Sequence, residues 1–192
     1  MMNLIQLLKE LIPCINGMWY LADGAALGLV REGKLIEGDN DIDLYILEDT
    51  TIDLSDSVLE QQQYYLCNKI YNPNNNKLKL NPWLEYCSII KLNNHKLNRC
   101  EVLQLAKKTY KFECIKPRFT NNHIDIFKLK KKGDIYKTDG KWGNLYFTED
   151  DLKPVINTDL GFPVNIFNNV EQVLERQYGD TWRIPNPNFK YF

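Results

Sequence analysis

Residues 36–47 read Ile-Glu-Gly-Asp-Asn-Asp-Ile-Asp-Leu-Tyr-Ile-Leu, and the alternation in this stretch decides the fold. From Asp41 onward the apolar side chains recur with a strand's period of two, so that Ile42, Leu44 and Ile46 share one face. Asp41 and Asp43 share the other face, and Asp39 has the same parity if the extended backbone reaches back that far. Alternate side chains on a strand stand about 7 Å apart. Two carboxylates at that spacing can converge on one divalent cation, or on a pair of cations about 3.5–4 Å apart. Carboxylate oxygens suit Mg²⁺ or Mn²⁺, and substrate phosphates commonly complete the shell. The same pattern also describes an edge strand with a solvated acidic face, so the flanking sequence matters.

Working backward, Met18 to Leu21 reads as a short apolar strand, Asp23-Gly24 as a turn, and Ala25 to Arg31 as a short helix ended by Gly33. A glycine at a turn that opens a helix can present backbone N–H groups to a phosphate, aided by the helix dipole. Arg31, two turns along the same helix, can supply a cation for charge that develops in phosphoryl transfer. Taken singly, Gly24 also fits an ordinary turn glycine, and Arg31 a surface arginine.

Working forward, a third acid stands in His123-Ile-Asp-Ile-Phe127. Ile124 and Ile126 should face a core, with His123, Asp125 and Phe127 on the opposite side. An unpaired carboxylate buried mid-strand costs several kcal/mol, so Asp125 should be exposed, hydrogen-bonded or facing a metal. His123 can be read as a general base or as a structural residue.

The remaining sequence predicts mostly helices. Leu4, Leu7, Leu8, Leu11 and Ile12 fall at helical spacing before Pro13. Val58 to Ile70 reads as helix, residues 72–81 as an Asn-rich loop, and Asn81-Pro82 as a helix start followed by Trp83, Leu84, Cys87 and Ile90. Leu97, Cys100, Leu103 and Ala106 suggest another helix. Lys111 to Ile115 and His123 to Leu129 alternate like strands, and Val170 to Gln177 is a short helix. One α/β domain over residues 1–192 accommodates these elements, with no linker or repeat to divide it.

The 24 basic and 25 acidic residues leave a net charge of −1, so no global field points to nucleic acid. The cluster Lys128, Lys130, Lys131 and Lys132 reads as a solvated turn after a strand. Five widely spaced cysteines without a Cys-x-x-Cys pair, and only two histidines, argue against structural zinc and for reduced thiols. No apolar run approaches the ~20 residues of a membrane span, and the N-terminus is too polar for a signal peptide. A cytoplasmic protein is expected. Neither a Gly-x-x-x-x-Gly-Lys-[Ser/Thr] loop, a Gly-x-Gly-x-x-Gly fingerprint nor a Gly-x-Ser-x-Gly elbow is present.

Leu21-Ala-Asp-Gly-Ala-Ala-Leu-Gly-Leu-Val-Arg31, Gly33, Ile36 and Asp39-Asn-Asp-Ile-Asp43 together resemble the LicD/fukutin-related pattern. Ile124-Asp-Ile-Phe127 is similar to that family's second acidic strand. Leu145-Tyr-Phe-Thr148, Gly161-Phe-Pro163 and Leu174-Glu-x-x-Tyr-Gly-Asp-x-Trp182 with Pro185 resemble its C-terminal signature. The resemblance spans about residues 18–185. It implies a nucleotidyltransferase fold of the polymerase β kind, α/β (α+β), with a small mixed sheet and surrounding helices. It further implies transfer of a phosphorylated group, such as phosphocholine or a polyol phosphate, from a CDP-linked donor to a glycan acceptor with Mg²⁺ or Mn²⁺. On this reading Asp41, Asp43 and Asp125 are the catalytic and metal-binding acids, while Gly24, Ala25, Arg31 and Asp39 bind substrate. Three positions depart from the pattern: Ala25 lacks the usual hydroxyl, Gly38 replaces a Trp, and Asn40 replaces the middle Asp. By strand parity Asn40 faces away from Asp41 and Asp43. Two further readings are nucleotidyl transfer to a small molecule, and a catalytically inactive nucleotide-binding module.

Overall fold

The computed structural model describes residues 3–54, 57, 64–68, 70–72, 77–79, 86–91, 122–138 and 145–186. Helix α1 (Leu4–Leu11) begins at Asn3, whose side-chain oxygen accepts the Gln6 N–H at 2.8 Å and so satisfies a donor that the first helical turn leaves unpaired. Pro13 lies in the 3-10 turn Ile12–Cys14 that follows. The chain continues through β1 (Ile15–Asn16), β2 (Trp19–Ala22), α2 (Asp23–Glu32), β3 (Asp41–Leu47) and β4 (Thr51–Ile52). Next come β5 (Tyr64–Asn68), β6 (Ile70–Asn72), β7 (Lys77–Lys79), β8 (Tyr86–Lys91), β9 (His123–Lys132) and β10 (Ile135–Lys137). The described C-terminal elements are β11 (Pro154–Asn157), β12 (Val164–Phe167) and α3 (Val170–Tyr178). The protein is thus mixed α/β, with three α-helices among the described residues.

Six strands form one mixed sheet in the order β2-β3-β9-β8-β5, with β10 paired to β9. The β3–β9 pair is parallel, and the other pairs are antiparallel. Three small antiparallel pairs, β1–β4, β6–β7 and β11–β12, lie outside it. Helix α1 lies against β3 and β9. Its Leu4, Leu7, Leu8 and Leu11 join Ile42, Leu44, Ile124 and Ile126 in the core, each fully buried side chain contributing about 1.5–3 kcal/mol. Helix α2 lies against β2, β3 and α3. It can approach the following loop closely because position 28 is glycine: an ideal Cβ there would lie 2.7 Å from Lys34 O and 2.8 Å from Ile36 N. Tyr20, Tyr45, Phe147 and Phe167 pack as an aromatic cluster, with Tyr20 stacked on Phe167 at 4.6 Å and Tyr45 tilted against Phe147 at 5.2 Å.

The N-terminal helix, the strand at residues 41–47, the strand beginning at His123 and the C-terminal helix fall where their periodicity predicts. Asp23 and Gly24, expected as a turn, are instead the first residues of α2, which ends at Gly33 as expected. The helix expected from Val58 to Ile70 is corrected to strand over Tyr64–Asn68, because that segment pairs with β8. Lys77–Lys79, expected in a loop, pairs with Ile70–Asn72. The helix expected from Asn81 is strand β8 over Tyr86–Lys91, held by ladders to both β5 and β9. The helix expected around Leu97 to Ala106 and the strand expected at Lys111 to Ile115 lie outside the described residues. Lys128, Lys130, Lys131 and Lys132, expected in a turn, belong to the end of β9, with Lys131 paired to Glu149 at 2.6 Å. Cys14 is a free, half-buried thiol. No described helix is long and apolar enough to cross a membrane.

Candidate metal centre in an acidic cleft

The parallel register of β3 and β9 sets Asp41 opposite His123 and Asp43 opposite Asp125. Partners in register point to the same side of a sheet, and adjacent strands run about 4.8 Å apart, so these four side chains rise together from one face. The isoleucines between them, Ile42 and Ile124, are fully buried on the other face. His123 Nε2 lies 3.8 Å from Asp41 Oδ2 and 3.8 Å from Asp125 Oδ2. Each of the three residues offers a donor atom within 4.8 Å of the others. Two carboxylates and an imidazole at this separation are a donor set that can hold a metal ion.

Asp43 sits beside this cluster. Its pKa is raised well above the ordinary carboxylate range, first by burial and then by repulsion from Asp23, Asp41, Asp125 and Asp39. Asp39 also faces Asp41. Burial, with the Asp41 carboxyl next to it, pushes its pKa up to about 6, although the backbone N–H of Asn40 donates to Asp39 Oδ1 at 3.1 Å. A charge cluster of this kind has an excess of like charge that a bound cation relieves.

Asp23 is the residue that sequence reasoning missed. It opens α2 at a positive φ of 45°, uncommon for a non-glycine residue and better tolerated by Asp and Asn than by most. Its carboxyl is buried, with the Tyr45 hydroxyl donating to Oδ1 at 3.1 Å and Gln177 Nε2 donating to the same oxygen at 2.5 Å. Burial pushes its pKa up to about 6, against the lowering effect of those two donors. Tyr45 is itself fixed by the rings of Phe127, Phe147 and Phe167. The aromatic cluster therefore positions Asp23, and Gln177 ties α3 to the start of α2.

All these acids line one cleft of about 1090 Å³. Among the described lining residues are seven carboxylates, on Asp23, Glu32, Glu37, Asp39, Asp41, Asp43 and Asp125, and one cation, Arg31. The Arg31 guanidinium is already engaged by Glu32, at 2.6 Å from Nη2. Gly24 lines the cleft close to Asp39: an ideal Cβ would stand 3.2 Å from Asp39 Oδ2. The Ala25 side chain is buried in the core rather than in the cleft lining. Of the expected substrate-binding residues, Gly24, Arg31 and Asp39 thus meet the acidic strand in the cleft, and Ala25 does not present its side chain there. Tyr178 and Trp182 also line the cleft, with Trp182 almost wholly buried and the Arg183 guanidinium 4.2 Å from its ring centroid.

The sequence flagged His123 as a base or a structural residue. The signal for its place beside the acids was its shared parity with Asp125, but the match to Asp41 depends on a parallel register that no local pattern announces. Gln177 carried no local signal, since its partner Asp23 is 154 positions away. No protein-family model and no curated protein sequence matches this chain.

Proposed function

We propose that the protein is a divalent-metal-dependent transferase, built on a nucleotidyltransferase fold of the polymerase β kind. It would move a phosphorylated group of the phosphocholine or polyol phosphate type from a CDP-linked donor to a glycan hydroxyl. The observation that carries this reading is the meeting of Asp41, Asp43 and Asp125 on adjacent parallel strands beside the start of α2. The LicD/fukutin-like pattern of residues 18–185 supports it. Clustered carboxylates with an opening for phosphate are the recurring equipment of phosphoryl transfer. The donor atoms present suit a hard or borderline dication, and the excess negative charge of the cleft favours one.

Asp41, Asp43 and Asp125 would hold one or two Mg²⁺ or Mn²⁺ ions. Such ions, when bound, neutralise the donor diphosphate and stabilise charge on the leaving phosphate. Asp125 orients the acceptor hydroxyl and takes its proton as the oxygen attacks the phosphorus next to the transferred alcohol. The P–O bond to the nucleotide phosphate breaks, and CMP leaves. The N–H groups at the start of α2 and the Arg31 guanidinium steady the phosphates, for which Arg31 must exchange Glu32 for the ligand. Tyr178 and Trp182, which line the cleft, would limit water around the reacting groups.

The test is to incubate the protein with CDP-choline, CDP-ribitol or CDP-glycerol, a glycan acceptor and Mg²⁺ or Mn²⁺, and to measure CMP. Metal-dependent CMP release coupled to acceptor modification is expected. Pyrophosphate release from a nucleoside triphosphate would redirect the assignment to nucleotidyl transfer. Nucleotide binding that depends on metal but never turns over would make the chain a binding module.

A further inference from the structure

We infer that His123 is itself a metal ligand, and that it turns the acidic site into a mixed nitrogen–oxygen site selecting Mn²⁺-class transition dications over Mg²⁺. The inference rests on metal binding at the site proposed above and adds its donor chemistry. The three donors Asp41, His123 and Asp125 come from two strands in fixed register, so their relative placement is set by the sheet. The imidazole Nε2 stands at the same 3.8 Å from Oδ2 of Asp41 and from Oδ2 of Asp125. That is beyond hydrogen-bond distance for either pair. It lies instead within the range for two ligands of one ion. With metal–ligand bonds of about 2.1 Å, neighbouring donors are about 3.0 Å apart at a right angle and about 4.2 Å apart when opposite. Side-chain adjustments of a few tenths of an ångström would close the shell.

The chemical consequence follows from the donor set. Mg²⁺ takes oxygen ligands and keeps its waters, whereas imidazole nitrogen suits transition dications. A cleft lined by carboxylates alone would discriminate little between Mg²⁺ and Mn²⁺. Adding one nitrogen strengthens the bond to Mn²⁺ and leaves Mg²⁺ unaided. His123 is placed for this by neighbours on its own face rather than by a local motif, and its side chain is only 14% exposed, so the ring is held where it stands.

The experiment compares the wild-type chain with His123→Gln, using Mn²⁺ and Mg²⁺ alone as probes. Calorimetry should give Mn²⁺ at least tenfold tighter than Mg²⁺ in the wild type, and affinities within about threefold of each other in the variant. Mg²⁺ binding retained by the variant shows that the site is still folded. Pulsed electron paramagnetic resonance of bound Mn²⁺ should show modulation from a directly coordinated nitrogen in the wild type and none in His123→Gln. Equal Mn²⁺ and Mg²⁺ affinities in the wild type, or an unchanged preference and nitrogen signal in the variant, would overturn the inference while leaving a carboxylate metal site and the transferase reading intact. Binding of neither metal would overturn both.

Discussion

Asp23 offers a direct measure of what the site costs the fold. Its carboxyl has an ordinary pKa of 3.8 and is pushed up to about 6 by burial. At about 1.36 kcal/mol for each pKa unit, ionising it costs the native state about 3 kcal/mol relative to the unfolded chain. The folded state binds the proton more tightly, so this contribution is neutral below pH 3.8, grows as pH rises toward 6, and is constant above. Asp23→Asn removes the ionisation and keeps the acceptor, because Oδ1 receives both the Tyr45 hydroxyl and Gln177 Nε2. Asn also tolerates positive φ. The variant should therefore be more stable than the wild type by up to about 3 kcal/mol at pH 7.5, with most of that gain gone below about pH 4. Urea unfolding of both proteins in EDTA at the two pH values measures it. Asp43 does not cancel in the difference: losing the Asp23 charge also eases the repulsion that raises the Asp43 pKa, which adds to the gain at pH 7.5 in the same direction. Equal stability at pH 7.5, or a gain of the same size at pH 4, would refute the account of Asp23 as a buried, ionising carboxyl.

Asp43→Asn should raise the stability of the metal-free protein at neutral pH, since it removes the acid whose pKa burial and four neighbouring carboxyls raise; the same variant should lose transfer activity, and thermal melts beside a CMP-release assay check both. Asp125→Asn should behave alike, stabilising the chelated protein by easing the repulsion on Asp43 while abolishing turnover; wild-type turnover would remove Asp125 from the chemistry. Gly28→Ala should destabilise by a net of up to about 2 kcal/mol, because backbone overlap worth about 1–3 kcal/mol is set against a helix gain of up to about 1 kcal/mol, read as a lower urea midpoint. Trp182→Ala should cost about 3–5 kcal/mol for loss of a nearly buried ring, and truncation after Gln177 should lower the melting temperature and activity together.

The acidic strand was legible because Ile42, Leu44 and Ile46 alternate with its two aspartates, and the strand that carries Asp125 because Ile124 and Ile126 flank that residue, before Leu129 breaks the parity. Helix α1 was legible for the corresponding reason at helical period. The segment at Tyr86–Lys91 misled because Trp83, Leu84, Cys87 and Ile90 fit a helical stripe, yet ladders on both sides settle it as strand; such pairing is a tertiary choice that local propensity does not encode. β11 and β12 were missed because Pro154–Asn157 has three exposed residues and lacks alternation. Within the site, the carboxylates and the glycine at the start of α2 were readable as a motif. The burial of Asp23 was not, because it depends on Tyr45 and Gln177, 22 and 154 positions away.

The parallel pairing of β3 with β9 also has a temporal side. Asp41 and Asp43 leave the ribosome about 80 residues before His123 and Asp125, a delay of several seconds at about 5–20 residues per second. During that interval the nascent chain exposes a half-site of acids with no opposing strand, and the strand must wait for a distant partner, which makes such pairings slow to form. The ability to retain a metal ion should therefore appear late in refolding, with the last phase of sheet assembly, and would serve as a clock for it.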